Sequence, residues 1–365
     1  MMNPHDSELE SDSSPSVEIE NLDPDTTEIE SRLSRPKSKT RSILITVVSI
    51  LLLAGAGYFV FSGSGGMMDE WESVRSSPWW MIVLVILGPL GNHLSVAMCL
   101  RALLNRFGNI GKREMIVLVG SAWLFNYLPM RPGLIGRMGY HKSVNKIRLR
   151  DSFQCSVWSG VLAGVSNGIM LIVAILMTLI GSRWSILMPA LPVVGMFVIA
   201  GVMQDQSRRL MFQALAFRLI DVIVWLGRYW LAFRVLGLEM DIADIAIISA
   251  VSQLASLMPL TGSGLGFREW GVGLTASAGG YAMKTAIAGD LINRAAETLI
   301  VFPVGLVCTG IIARHFKRIE SGQINTASGS MGLFAQPVSK SEQVDDSTDS
   351  AEAVSAKATS AKDDA

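Results

Sequence analysis

Several apolar blocks of 20 or more residues run through this chain of 365, and blocks of that length leave few folds open. About 20 apolar residues in a helix cover about 30 Å of hydrocarbon, more than a soluble core buries in one continuous run. Six segments read as spanning helices: about 42–61, 78–100, 151–180, 184–203, 210–236 and 286–313. Half of all residues are hydrophobic and only 17% are charged, against about 25% in a soluble domain. The expected class is an all-α polytopic membrane protein, which excludes an ordinary soluble enzyme.

The net charge of zero hides a strong division. Residues 1–31 hold ten Asp/Glu and no Lys/Arg, and 321–365 hold seven Asp/Glu and three Lys, which leaves 14 acids and 28 bases in 32–320. Both ends are poor in large apolar residues and read as disordered: an acidic tail over 1–41 closing in a basic flank, and a second tail over 319–365, around a membrane domain at 42–318. The first apolar block starts after 41 residues without an Ala-x-Ala exit, so it reads as a retained anchor.

Two further apolar segments, 114–128 and 244–258, are too short to span, and each runs into a proline (Pro129, Pro259) and a Gly-rich turn. The positive-inside rule decides their path. Arg32, Arg35, Lys37, Lys39 and Arg41 put the N-terminus in the cytoplasm. Arg131, Arg137, Lys142, Lys146, Arg148 and Arg150 keep 131–150 there, whereas Glu239, Asp241 and Asp244 suit the outside. A full crossing by 114–128 would put the basic loop on the wrong side. Both short segments therefore read as re-entrant, which is tolerated at membrane depth only where protein or a wet cavity covers the backbone. Six crossings then leave both termini cytoplasmic, in a bacterial inner membrane.

The two units resemble each other. Leu128-Pro129-Met130-Arg131-Pro132-Gly133-Leu134-Ile135-Gly136-Arg137 matches Met258-Pro259-Leu260-Thr261-Gly262-Ser263-Gly264-Leu265-Gly266-Phe267-Arg268, about 130 residues on. One extra helix, 184–203, separates the units and flips the second, so the repeat is expected to be inverted. Inverted repeats with broken helices are a transporter architecture with a site near the midplane.

Helices that start after Gly-rich turns offer free N–H groups to an anion. Asn126, Pro129, Arg131, Gly133, Gly136, Arg137, Pro259, Gly262, Gly264, Gly266, Arg268 and Glu269 are accordingly the expected headgroup-binding residues. Asp290, Arg294 and Glu297 fall at i, i+4 and i+7 on one face of the last helix and read as an intramembrane polar pathway. Arg294 is expected to pair with Glu297, Asp290 or Glu269. Arg218 and Asp221 read as a snorkelling or paired couple, His93 as a satisfied interhelical donor, and Gly160, Gly164 and Gly168 as a packing face. Cys99, Cys155 and Cys308 read as small hydrophobes. The four histidines have no metal spacing, and no nucleophile elbow, phosphate loop or dinucleotide fingerprint occurs. No cofactor, catalytic residue or nucleic-acid partner is expected.

The pattern Asn126-x-x-Pro129-x-Arg131…Gly136-Arg137, then Pro259-x-x-Gly262-x-Gly264-x-Gly266-x-Arg268-Glu269, then Asn293-Arg294-x-x-Glu297 with Pro303 and Gly305, resembles the flippase-like transmembrane domain. That domain occurs in lysylphosphatidylglycerol synthase/flippase proteins and in stand-alone relatives. The resemblance covers about 78–315 and implies movement of an anionic phospholipid or lipid-linked headgroup between leaflets. The synthase domain of the larger relatives is not in this sequence, so the resemblance implies transport rather than synthesis. The first motif departs from the family: Ile135-Gly136 stands where Gly-Glu is usual, and Phe153-Gln154-Cys155 and Trp158-Ser159 stand where Glu-Arg and Asp are frequent. Two other readings stay open on the residues alone: a membrane-embedded transferase or accessory subunit in lipid or glycan assembly, and a structural membrane protein. Membrane lipids are the expected partners, with a second copy of the chain or a partner enzyme left open.

Overall fold

The computed structural model describes residues 72–128, 132–180, 187–257, 264 and 266–320, with a few positions in 47–58. Both tails, most of the predicted span 42–61, and Pro129, Arg131, Pro259 and Gly262 lie outside the described residues.

The described residues are helical, with no strand among them. Among the described residues, the helices of 12 residues or more are, in order, α1 (Trp79–Leu104), α2 (Lys112–Phe125), α3 (Pro132–Ser143), α4 (Leu149–Ile180), α5 (Ala190–Val202), α6 (Gln206–Val235), α7 (Ile242–Leu257), α8 (Phe267–Ala278) and α9 (Met283–Glu320). Four of them, α1, α4, α6 and α9, are long and apolar enough to cross a bilayer. The predicted span 184–203 yields only the 13 residues of α5, about 20 Å at 1.5 Å per residue, with 181–186 outside the described residues.

The polarity is distributed as a lipid solvent requires. Val157, Val161, Val165 and Ile172 of α4 and Leu299, Leu306 and Val307 of α9 face outward, while Arg228, Arg268, Glu269 and Asp290 are almost completely buried. Gly160, Gly164 and Gly168 share the outward side of α4, and a Cβ on any of them would meet nothing within 4 Å. The expected packing face therefore has no neighbour among the described residues.

Each short helix folds back on the next as a hairpin. At the start of α2 the buried Glu114 accepts hydrogen bonds from Tyr140 Oη (3.1 Å) and Asn145 Nδ2 (2.9 Å), both at the far end of α3. At the start of α7, Asp244 accepts from Tyr281 Oη (2.7 Å), just past the end of α8. Each hairpin thus ends where it began. The two helices of each hairpin approach closely at a glycine for a sterically defined reason. A Cβ on Gly133 would lie 2.1 Å from the Ala122 carbonyl oxygen, and one on Gly264 would lie 2.8 Å from that of Ala255. Gly264 also has φ +74°, which disfavours any side chain.

The packing has a simple symmetry. The central pair is α1 against α6. Around it, α2 packs on α9 as α7 packs on α4; α1 on α2 as α6 on α7; α2 on α3 as α7 on α8; α3 on α4 as α8 on α9; and α1 on α9 as α6 on α4. The counterpart of α1 on α4 is α6 on α9. Only the packing of α5 on α6 lacks a counterpart among these pairs.

Candidate functional site

The charged residues of the second half close on one another. Arg268, at the start of α8, is fully buried. Its Nε donates to Asp290 Oδ1 at 2.8 Å and its Nη1 to Glu297 Oε2 at 3.0 Å, both on α9. Glu269 is used twice: Oε2 accepts the Gly266 N–H (2.8 Å) and caps α8, and Oε1 accepts from Arg294 Nε (3.1 Å). Arg294 therefore pairs with one of its three expected partners, across the α8–α9 interface. The Asp290/Arg294/Glu297 stripe points into protein, as the cost of roughly 2.5–3.5 kcal/mol per charge facing lipid demands.

The network runs on through residues the sequence did not single out as site residues. Tyr229 Oη donates to Asp290 and lies 2.6 Å from Ser252 Oγ. Arg228 Nη1 donates to Asn92 Oδ1 (3.0 Å), and its Nη2 donates to the Asn293 carbonyl (3.1 Å) and lies 3.9 Å from Glu297. Asn92 Nδ2 donates to Asp221 Oδ1 (2.8 Å), whose other oxygen takes Arg218 Nη1 at 2.9 Å. Arg218 and Asp221 are thus a buried pair rather than snorkelling ends. The indole of Trp225 carries two guanidinium groups, Arg228 at 4.6 Å and Arg268 at 5.2 Å from its centroid. Four arginines (218, 228, 268, 294) face four carboxylates (221, 269, 290, 297), so the charge of this cluster is balanced.

Arg137 stands outside that balance. It is buried on α3, 8% exposed; among the described residues its side chain donates from Nη2 to Ser156 Oγ of α4 (2.7 Å), while Nε has no partner. Among the described residues no carboxylate lies within salt-bridge distance of it. Its guanidinium carries a positive charge, as arginine does throughout the physiological pH range. The contrast with the second half is direct: Arg268 meets Asp290 and Glu297 on its neighbouring long helix, and Arg137 meets a hydroxyl.

Arg137 lines a cavity of about 240 Å³ between the two halves. Asn92 and His93 of α1, Trp123 of α2, Asn126, Arg218, Asp221 and Arg228 of α6, Gln253 of α7 and Glu297 of α9 also line it. Asn126 Oδ1, Arg218 Nε and Arg228 Nε are buried without hydrogen bonds. Of the expected headgroup residues, Asn126 and Arg137 are at this cavity, and so is Glu297 of the expected pathway. Gly133 serves the α2–α3 bend, Gly136 faces open space, and Gly264 and Gly266 shape the second bend and its cap. Arg268 and Glu269 have their charges already matched. His93 meets its expectation only in part: the Ile116 carbonyl of the neighbouring α2 interacts with the ring, but neither ring nitrogen makes a hydrogen bond of good geometry among the described residues. All three cysteines are free and buried, and the described residues hold no cluster suited to a metal ion.

No protein-family model matches the chain, and neither a curated protein nor a solved structure matches it.

Proposed function

We propose that the chain is a membrane transporter of the flippase kind, which takes an anionic lipid headgroup into the cavity between its halves and moves it between leaflets. The observation that carries this reading is Arg137, a buried guanidinium on a cavity wall with no carboxylate beside it among the described residues. An uncompensated buried charge costs several kcal/mol, and an anionic headgroup would compensate it. The polar lining and the orphaned donors beside it supply further hydrogen bonds for the same group.

The packing symmetry supports an inverted repeat, α1–α4 against α6–α9, with α5 as the helix that flips the second unit. The Glu114–Tyr140 and Asp244–Tyr281 ties support two re-entrant hairpins. With 42–61 and 184–203 as the remaining crossings, the basic loops face the cytoplasm of a bacterial inner membrane, and both termini lie there.

The test is transfer of a fluorescent phosphatidylglycerol across liposomes containing the full chain. Arg137→Gln is expected to lower the transfer rate at least about tenfold, the scale of one charge-assisted hydrogen bond, with a thermal transition that does not fall. An unaltered rate would overturn the reading. Modification of a cysteine placed at residue 140 by an impermeant reagent outside intact cells would overturn the topology.

A further inference from the structure

The imidazole of His93 is a further group on the cavity wall, and it is built into it. His93 is 5% exposed. Its ring stacks on Trp123 with centroids 5.4 Å apart and planes 1° from parallel. α9 closes in behind it: a Cβ on Gly120 would lie 3.3 Å from His93 Cε1 and 2.7 Å from Cys308 Sγ. The ring is therefore held in one orientation; the Ile116 carbonyl of α2 lies beside it, and neither nitrogen makes a hydrogen bond of good geometry among the described residues. Around the same cavity α6 presents Arg218, Asp221 and Arg228, α9 presents Glu297, and α3 presents Arg137. The linings from α2, α4 and α7 carry no charged group.

Counting those charges with His93 neutral gives three positive and two negative, a cavity of +1. A phosphodiester, with one negative charge, brings it to zero. A phosphomonoester, with two, leaves it at −1, and His93 is the neutral base on the wall, whose protonation restores neutrality without taking a carboxylate from Arg218 or Arg228. Resting on the transporter reading above, we propose that His93 is a ligand-binding and proton-accepting residue: a phosphomonoester headgroup binds at Arg137 together with one proton that passes from solvent to the His93 ring. The cation so formed lies flat on the Trp123 indole, a face that attracts cations, and donates to the phosphoryl oxygens. A diester binds without a proton. The shared chemistry is that of a phosphoryl dianion, carried by a lipid such as phosphatidic acid or by free phosphate.

The experiment is calorimetry on the full chain in detergent at pH 8, where a phosphomonoester is doubly charged. It is repeated in buffers of different ionisation enthalpy so that protons are counted. The probes are short-chain phosphatidic acid, inorganic phosphate and short-chain phosphatidylglycerol. Uptake of about one proton with phosphatidic acid and none with phosphatidylglycerol is expected. In His93→Gln the uptake disappears, and the monoester-to-diester affinity ratio falls about tenfold, the scale of a lost charge-assisted hydrogen bond. Inorganic phosphate behaving like phosphatidic acid identifies the phosphoryl group alone as the ligand; binding of the lipid only assigns the site to a headgroup. Equal proton uptake with monoester and diester, or uptake that persists in His93→Gln, overturns the proposal while leaving the transporter reading intact. Binding of no probe by the wild-type chain overturns both.

Discussion

The Tyr140 hydroxyl donates to the Glu114 carboxylate across 3.1 Å and so joins the last turn of α3 to the first turn of α2. Tyr281 and Asp244 make the corresponding tie in the second hairpin. The environments differ: Glu114 is buried, whereas Asp244 and Tyr281 are partly exposed. Removing a donor from a buried carboxylate costs about 1–3 kcal/mol, and much less where water can substitute. Tyr140→Phe should therefore lower the thermal transition of the detergent-solubilised protein clearly, and Tyr281→Phe only slightly. Equal shifts would contradict this account of the two ties.

Glu269 serves both Arg294 and the amide of Gly266. Arg294→Leu leaves half of a fully buried carboxylate without its cation, a loss of about 3–5 kcal/mol. The double variant Glu269→Gln/Arg294→Leu keeps a carbonyl oxygen for the α8 cap and removes the stranded charge, so it should be more stable than Arg294→Leu alone. Denaturation in mixed micelles measures both. A single variant as stable as wild type would show that the pair contributes nothing.

The two glycines of the first motif should respond oppositely to alanine. A methyl on Gly133 collides with the Ala122 backbone, whereas one on Gly136 meets open space. Gly133→Ala should abolish the folded yield or shift the α2–α3 bend, and Gly136→Ala should be tolerated within about 0.5 kcal/mol, as surface changes usually are. Folded yield by size exclusion and thermal transition decide it.

Much of this architecture was readable from the chain because its signals are local. Apolar runs mark α1, α4, α6 and α9, and the spacing of Asp290, Arg294 and Glu297 puts them on one stripe. Their link to Arg268 and Glu269 was readable because both motifs are charge-rich in an apolar setting. What escaped depends on distant neighbours. Arg228 and Asn92 lie on different helices, far apart in the chain, and only the α1–α6 crossing joins them. The hydrogen-bond deficit of His93 and the outward direction of Gly160, Gly164 and Gly168 are likewise properties of packing. The first half looked like a weakened copy of the second. In three dimensions its missing carboxylates are what leave Arg137 charged and uncompensated.

His141 gives the protein an acid limit. It is fully buried at the end of α3. Asn145 spends its amide N–H on Glu114, so its oxygen must accept, and His141 Nδ1 is the donor across 3.0 Å. Burial lowers the imidazole to about 4 from its ordinary 6.5. A depressed pKa means that the unfolded chain binds the proton first, so stability is complete above pH 6.5 and falls as pH drops from 6.5 toward 4. The shift corresponds to roughly 3 kcal/mol. In His141→Asn the slope of unfolding free energy against pH over that window should fall by about one proton; an unchanged slope would remove His141 as the cause.

Ser156 offers the most direct test of what the asymmetry between the halves does. Its hydroxyl lies 2.7 Å from Arg137 Nη2, on the long helix that follows the hairpin, as Asp290 does for Arg268. Ser156→Asp would build in the first half the pair that the second half already has. If Arg137 is held in an uncompensated state for a ligand, the new carboxylate should stabilise the protein, because it neutralises a buried charge already desolvated in the wild type. It should also compete with any anion for the same guanidinium, so transfer of phosphatidylglycerol should fall at least about tenfold while the thermal transition rises. Each result alone has a simpler explanation: lost activity by damage to the fold, gained stability by better packing. Only their conjunction requires that the unpaired charge be the working part, and a variant that is more stable yet fully active would show that Arg137 is not what an anion meets.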